Sequence, residues 1–389
     1  MTERQKKIKL IRTSTIPGSI ETFCRGLLRE LQEGENYEVV VVSSPGKEME
    51  IISQREHVKC IDVPMERHIS PFRDIRSLFR LYKVFKKERP DMVHSITPKA
   101  GLLSMIAAKL ARVPVRLHTF TGLVFPTARG FTKKILILTD KITCACATHI
   151  VPEGEGVKSD LQTYKITQKP LKILGHGNIR GIDLEYYNPT LPEVASEAEK
   201  IRDKDKFTFI FIGRIVGDKG INELIEAFEE LKKNASDIRL ILVGYFEKSL
   251  DPISEKSSEI LKEDKDIILA GQQKDVRPWL LASDAFVFPS YREGFPNVVI
   301  EAGAMGLPSI VTDINGSREI IINGENGLVI PPHDVKSLFE AMKQMVVNKK
   351  ERLEMASKSR NMIASRYEQS YVRQCLKDYY KEILNETLS

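Results

Sequence analysis

Phe207-Thr-Phe-Ile-Phe-Ile-Gly-Arg-Ile-Val-Gly-Asp-Lys-Gly220 is an apolar run that ends in a glycine-punctuated turn carrying two cations. An apolar stretch this short, bounded by glycine and almost without alternation, reads as a strand buried on both faces, the pattern of a parallel sheet. The residues after it take up a helical apolar period, which predicts a helix over 220–233. A helix N-terminus already carries partial positive charge, so Arg214 and Lys219 are unfavourable beside it unless an anion binds there. Two cations next to unpaired N–H groups suit a phosphate or diphosphate. The same turn reads equally well as two solvated basic side chains. Gly213, Gly217 and Gly220 form neither a Walker A loop nor a GxGxxG fingerprint, which argues against an NTPase or a dinucleotide enzyme.

Outward from this segment, strand and helix alternate in both halves of the chain, the spacing that builds parallel sheets with helices on both faces. In the first half strands are predicted near 8–13, 38–43, 91–95, 115–119 and 148–151, with helices near 19–33, 73–88 and 99–111. In the second half the strands fall at 207–212, 239–243, 267–269 and 285–288, with a further helix at 297–305. A chain of 389 residues exceeds one ordinary core, so two α/β domains are expected. The Gly/Pro-rich passage Gly175-His-Gly-Asn-Ile-Arg-Gly-Ile-Asp183, continued by Asn188-Pro-Thr-Leu-Pro192, is the natural hinge between them. The expected division is a Rossmann-like domain over 1–175, a linker over 176–200, a second Rossmann-like domain over 201–365 and a terminal helical segment over 366–389. Two doubly wound sheets of this kind would enclose a cleft at the carboxyl ends of their strands.

The second informative segment is Pro289-Ser-Tyr-Arg-Glu-Gly-Phe-Pro-Asn-Val-Val-Ile-Glu-Ala302. It follows a buried strand and opens a helix whose first turn tolerates Pro296, leaving the amides of Asn297, Val298 and Val299 to meet a ligand. Glu293 sits in the loop and Glu301 about a turn and a half into the helix, a spacing that suits two groups of a polyhydroxylated ligand. Glu293 also reads as a solvated carboxylate, whereas Glu301 lies in an apolar run and needs a partner.

Charge is unevenly spread. The first 190 residues carry 31 Lys/Arg against 20 Asp/Glu, the remainder 28 against 33. Most of the excess lies between Arg67 and Lys141, with Arg73, Arg76, Arg80, Lys83, Lys86, Lys87 and Arg89 along one amphipathic helix. Such a field attracts anionic lipid headgroups or a polyanionic substrate, and it equally describes a solvated helix face. The stretch carries no recognised nucleic-acid motif, so no nucleic-acid partner is expected. The start, Met1-Thr-Glu-Arg-Gln-Lys-Lys-Ile8, has no apolar signal region, and no apolar run approaches the ~18–20 residues of a membrane span, so a cytoplasmic protein is expected. Five cysteines form no CxxC pair. Two Asp-x-Asp triplets, Asp203-Lys-Asp205 and Asp264-Lys-Asp266, precede strands and read as solvated turns, so no metal site is expected.

The pair Glu293 and Glu301, preceded by Gly213-Arg-x4-Lys-Gly220, resembles glycosyltransferase family 4, retaining enzymes of the GT-B fold. Val93-His-Ser-Ile-Thr-Pro-Lys-Ala-Gly101, His118-Thr-Phe-Thr-Gly122 and Gly181-Ile-Asp183 are similar to the branch that builds capsular, exopolysaccharide and lipid-linked oligosaccharides. The resemblance implies that Arg214 and Lys219 neutralise a donor diphosphate and that Glu301 holds the ribose. It implies that Glu293 binds the transferred sugar beside Gly294, Phe295, Asn297 and Val298, and that His118 reaches the same sugar. Gly213, and Gly18 in the loop Thr15-Ile-Pro-Gly-Ser19, would let the backbone approach the donor; this chain has Gly18-Ser19 where relatives often carry two glycines. His94 and Lys99 are acceptor-side candidates.

By the same resemblance, the first domain binds the acceptor, the second binds the donor, and the segment over 366–389 packs back on the first. The expected donor is a UDP-sugar, used without a metal cofactor. The expected acceptor is a polyprenyl-diphosphate-linked saccharide at the inner membrane face, with peripheral contact to anionic lipid through the first domain. The competing enzyme reading is a nucleotide-sugar epimerase of the same two-domain plan.

Overall fold

The computed structural model describes residues 7–34, 36–66, 70–247 and 251–388. Arg67 and residues 1–6 of the quoted start therefore lie outside the described residues. The chain divides into two compact units, Met1–Arg180 with Ser370–Ser389, and Gly181–Gln369.

In the first unit, strands β1 (Ile8–Thr13), β2 (Tyr37–Ser43), β3 (Lys59–Asp62), β4 (Met92–Ile96), β5 (Val115–Phe120) and β6 (His149–Pro152) form a sheet in the order β3-β2-β1-β4-β5-β6. Every pairing is parallel. Neighbouring residues along the central strands enter different cores. Leu10, Val39 and Val41 join one cluster, while Ile11, Val40 and Val42 join another. The sheet is thus covered on both faces, which is why its strands are continuous apolar runs. Helix Gln369–Leu388 supplies Leu376, Tyr380 and Ile383 to the first of these cores.

The second unit repeats the plan with β7 (Phe207–Ile212), β8 (Ile238–Val243), β9 (Ile267–Gly271), β10 (Ala285–Phe288), β11 (Ser309–Thr312) and β12 (Gly327–Ile330), in the order β12-β11-β10-β7-β8-β9 and again all parallel. Phe209, Phe211 and Phe286 are fully buried, each contributing roughly 1.5–3 kcal/mol of burial. In both sheets strand order reverses beside the first strand, between β1 and β4 and between β7 and β10. Ligands of open α/β sheets bind outside the carboxyl ends of the strands at that reversal.

Three features differ from the sequence expectation. The helix expected over 19–33 is two helices, Pro17–Cys24 and Leu27–Glu33, because Gly26 takes a left-handed conformation (φ +77°) and donates its amide to the buried Glu56 carboxylate at 2.9 and 3.0 Å. Strands β3, β11 and β12 were not expected. The passage over 176–200 divides between the units at Arg180/Gly181, and helix Pro192–Ile201 buries Val194 in the second core.

The aspartates of the second Asp-x-Asp triplet are ion-paired. Lys232 lies 2.7 Å from Asp264 and 2.9 Å from Asp266, which also meets Lys206. Among the described residues no group of three or more His, Cys, Asp or Glu could hold a metal ion, and no helix is long and apolar enough to cross a membrane.

Candidate functional site

The chain leaves β7 through Gly213, where backbones crowd: a Cβ on Gly244 (φ +151°), after β8, would lie 1.8 Å from the Gly213 carbonyl oxygen. Arg214 follows, and its guanidinium Nη1 donates to Glu247 Oε2 at 2.6 Å. The turn Gly217–Lys219 then leads to Gly220, which has φ +70° and starts helix Ile221–Lys232. A Cβ at Gly220 would stand 2.1 Å from the Pro289 carbonyl oxygen, so this close approach requires glycine. It presses the turn after β7 onto the loop after β10, and the Tyr291 amide donates to the Asp218 carbonyl at 2.9 Å to hold them together.

The consequence is that Lys219 and Glu293 are ion-paired. Ser290 Oγ donates to the same Glu293 oxygen at 2.8 Å, and the Lys219 ammonium lies 5.7 Å from the centre of the Phe288 ring. Asp218 and Arg292 form a further pair at 3.2 Å across the same two loops. Both cations singled out in the sequence therefore carry carboxylate partners, which relieves their repulsion from the helix N-terminus.

The loop continues through Gly294 and Phe295. Gly316 (φ +73°) packs so closely that a Cβ there would lie 2.5 Å from the Gly294 carbonyl oxygen and 2.7 Å from the Phe295 Cα. Phe295 is buried against Tyr367, with ring centres 5.5 Å apart. Helix Asn297–Ala304 begins after Pro296, with Val298 partly buried and Glu301 buried on its inner side. The amide of Val299, expected to be open to a ligand, instead donates to the Pro296 carbonyl at 3.1 Å, closing the first turn on itself.

In the first unit, His118 sits in β5 opposite Ser95 of β4, and its Nδ1 is hydrogen-bonded to Ser95 Oγ at 2.8 Å. Burial pushes its pKa down to about 3, so the ring is neutral at ordinary pH. Space for the ring comes from Gly101, in helix Pro98–Ala111: a Cβ there would lie 2.3 Å from His118 Cε1. Gly18 lies in the first turn of helix Pro17–Cys24 and not in a loop, and a Cβ there would meet nothing within 4 Å. Lys99, in the first turn after β4, is paired with Asp74 at 2.6 Å.

His94 does not fit the acceptor-side expectation. It is buried, with Nε2 2.7 Å from Thr119 Oγ1 and Nδ1 2.6 Å from Tyr380 Oη and against Arg12. Both ring nitrogens are engaged inside the unit, and burial together with the Arg12 charge holds the imidazole well below its usual pKa. Sequence reasoning missed Glu247, Ser290 and Asp74, the partners of Arg214, Glu293 and Lys99. No periodicity or turn signal marks an isolated carboxylate or hydroxyl.

Residues 195–362 match the family described as glycosyl transferases group 1, and residues 16–153 match that described as glycosyl transferase 4-like. The chain is 31% identical to the capsular polysaccharide biosynthesis glycosyltransferase CapM of Staphylococcus aureus, over 98% of this chain and 99% of that one. It is 32% identical to the UDP-Gal:alpha-D-GlcNAc-diphosphoundecaprenol alpha-1,3-galactosyltransferase of Escherichia coli, over 76% of each. Among solved structures, the glycosyltransferase from Rickettsia africae ESF-5 superposes with a TM-score of 0.80 at 21% identity, covering 98% of this chain and 99% of that one. Anabaena Alr3699/HepE in complex with UDP superposes with a TM-score of 0.79 at 17% identity, covering 97% and 100%.

Proposed function

The chain belongs to the group 1, 4-like glycosyltransferases, and from that membership we propose that it moves a hexosyl group from a UDP-sugar to a lipid-diphosphate-linked saccharide with retention at the anomeric carbon. Its GT-B fold, its hexosyltransferase class and its place in capsular or lipid-linked polysaccharide synthesis come with the family. UDP is the nucleotide named for the Escherichia coli relative, and a diphosphoundecaprenol acceptor is named both there and for a relative in Campylobacter jejuni that is 28% identical.

One observation carries the donor assignment: Lys219 and Glu293, 74 positions apart, meet at the strand-order reversal of the second sheet. In this reading the donor diphosphate takes Lys219 and Arg214 from their carboxylates. Glu293, released, turns to hydroxyls of the transferred sugar, and Glu301 takes the ribose. Gly213, Gly294, Phe295, Asn297 and Val298 supply backbone and packing around the nucleotide. His118, neutral, serves as a hydrogen-bonding partner for a sugar hydroxyl and not as a proton donor.

As the anomeric bond breaks, negative charge grows on the leaving diphosphate. Fixed cations there stabilise the transition state more than the ground state, without a metal ion. The acceptor hydroxyl attacks from the face the diphosphate leaves and passes its proton to that phosphate, which gives retention without a covalent intermediate. The first unit takes the acceptor, and its basic surface rests on the inner face of the plasma membrane.

The test is a panel of UDP- and GDP-sugars incubated with the pure protein. Slow release of UDP from one UDP-sugar, and an α-configured product from an α-configured donor once acceptor is added, are expected. A glycosyl-enzyme adduct in the mass spectrum contradicts the same-face route, and donor isomerised without acceptor points to an epimerase. Glu301→Ala weakens UDP binding in calorimetry if Glu301 holds the ribose; an unchanged affinity removes it from the site.

A further inference from the structure

The first unit contains a groove of about 470 Å³, a size in the range of ligand sites. One end is polar and is formed by Thr15, Ser19, Thr97 and Lys99, on the segments that leave β1 and β4. It therefore opens at the strand-order reversal of the first sheet. Asp74 also lines this end. Its Oδ2 is taken by Lys99 and by the Ser70 amide at 3.1 Å, while Oδ1 is buried without a hydrogen-bond partner, an acceptor that a sugar hydroxyl would satisfy. The remainder is mostly apolar, with Leu102, Val124, Ile135 and Leu136 on its walls beside Thr139.

The two helices that flank this groove expose hydrophobic side chains to water. On helix Pro71–Glu88, which carries Asp74, Phe72 is 90% exposed and Phe79 61%. On helix Gly130–Cys146, which carries Ile135 and Leu136, Phe131 is 76% exposed and Leu138 57%. Exposed cations are interleaved with them: Arg73, Arg76 and Arg80 on the first helix, Lys134 and Lys141 on the second. Apolar side chains and cations sharing one exposed face fit an anionic amphiphile at a lipid surface.

We propose that this groove seats the hydrocarbon chain of the acceptor's prenyl diphosphate, with the chain along Leu102 and Leu136 and the diphosphate-sugar end at Lys99 and Asp74. This rests on the reading above that the acceptor is lipid-linked, and it adds where the lipid lies. The diphosphate draws Lys99 from Asp74, whose oxygens then accept sugar hydroxyls. The chain leaves between the exposed faces of the two helices toward the bilayer.

The test is calorimetry on the full chain with inorganic pyrophosphate, geranyl diphosphate and farnesyl diphosphate, with UDP titrated separately. The extra isoprene unit is expected to tighten binding at least about tenfold, since each buried methylene contributes. Leu102→Trp and Leu136→Trp, which fill the groove, are expected to remove that gain while UDP affinity and melting temperature stay as in the wild type. If either tryptophan variant fails to fold, Leu102→Ser serves, with a reduced gain expected. Farnesyl diphosphate binding no tighter than pyrophosphate, or undiminished in the filled variants, overturns the proposal. If the filled variants instead lose only their binding to phosphatidylglycerol vesicles, the groove takes a bilayer phospholipid and the proposal is likewise overturned. In the wild type, UDP binding with no chain-length effect sinks the groove alone, and prenyl binding without UDP binding sinks the donor reading alone.

Discussion

Lys219 and Glu293 form an ion pair in which the carboxylate is also held by Ser290 Oγ at 2.8 Å. Both side chains are largely shielded, at 13% and 18% exposure, so the pair is more than a screened surface contact. In the proposed mechanism it is a resting arrangement that the donor diphosphate exchanges for its own.

Replacing Lys219 with Ala removes a largely shielded cation and leaves Glu293 without its ion-pair partner. Turnover is expected to fall by two to three orders of magnitude, as when one fixed transition-state donor worth roughly 3–4 kcal/mol is lost. The melting temperature should change little, because Gly220 and the Tyr291 amide still fix the loop. Steady-state kinetics with a competent donor and acceptor check this.

Arg214 is paired with Glu247 at 2.6 Å, so in the proposed mechanism this carboxylate competes with the donor diphosphate. Glu247→Gln keeps the shape and removes the charge. Because Arg214 is 36% exposed and screened by solvent, the gain in UDP affinity is expected to be modest, roughly two- to fivefold. Calorimetry at two salt concentrations measures it, and the gain should shrink at the higher one.

Alanine normally stabilises a helix interior relative to glycine by roughly 0.5–1 kcal/mol. At position 101 the opposite is expected, because the new Cβ would lie 2.3 Å from His118 Cε1. Gly101→Ala should lower stability by about 1–3 kcal/mol, the usual cost of overpacking, and should reduce turnover by displacing the histidine. Chemical denaturation and kinetics on the same preparation read both effects.

Acid should destabilise the first unit in a defined window. The unfolded chain protonates His118 near 6.5, whereas the folded protein does so only at about 3. Its contribution is therefore fully present above pH 6.5 and is lost as pH falls toward 3, at about 1.4 kcal/mol per pH unit. His94 acts in the same direction. Asp140, pushed up to about 7 by burial, acts oppositely, with stability lost as pH rises from 3.8 through 7. His118→Asn should flatten the acid slope by one proton's worth, which denaturation at pH 7, 6, 5 and 4 resolves.

Much of the second sheet was legible because strands buried on both faces are runs of apolar residues, as at Phe207 to Ile212 and Ala285 to Phe288. Strand β3, Lys-Cys-Ile-Asp at the sheet edge with exposed ends, carries no such run. Strands β11, Ser-Ile-Val-Thr, and β12, Gly-Leu-Val-Ile, hold only two and three apolar residues in a row, against the unbroken four of β10. Arg214, Lys219 and Glu293 stood out because glycines and a proline punctuate their loops. Their partners did not: Glu247 is a lone carboxylate beyond β8, and nothing local links it to Arg214. The partners of His94 were equally illegible, because its place in a family-like segment says nothing about which face of the sheet it takes. One residue earlier than Ser95, it faces Tyr380, which is 286 positions away.

The proposed donor site depends above all on Arg214 and Lys219 binding the diphosphate of a sugar nucleotide. Its most direct test is calorimetric titration of UDP and of uridine into the wild type and into the Arg214→Ala, Lys219→Ala double variant. UDP affinity is expected to fall at least about a hundredfold in the double variant, two charge-assisted contacts being lost, while the weak affinity for uridine is unchanged. UDP bound as tightly by the double variant as by the wild type would contradict it.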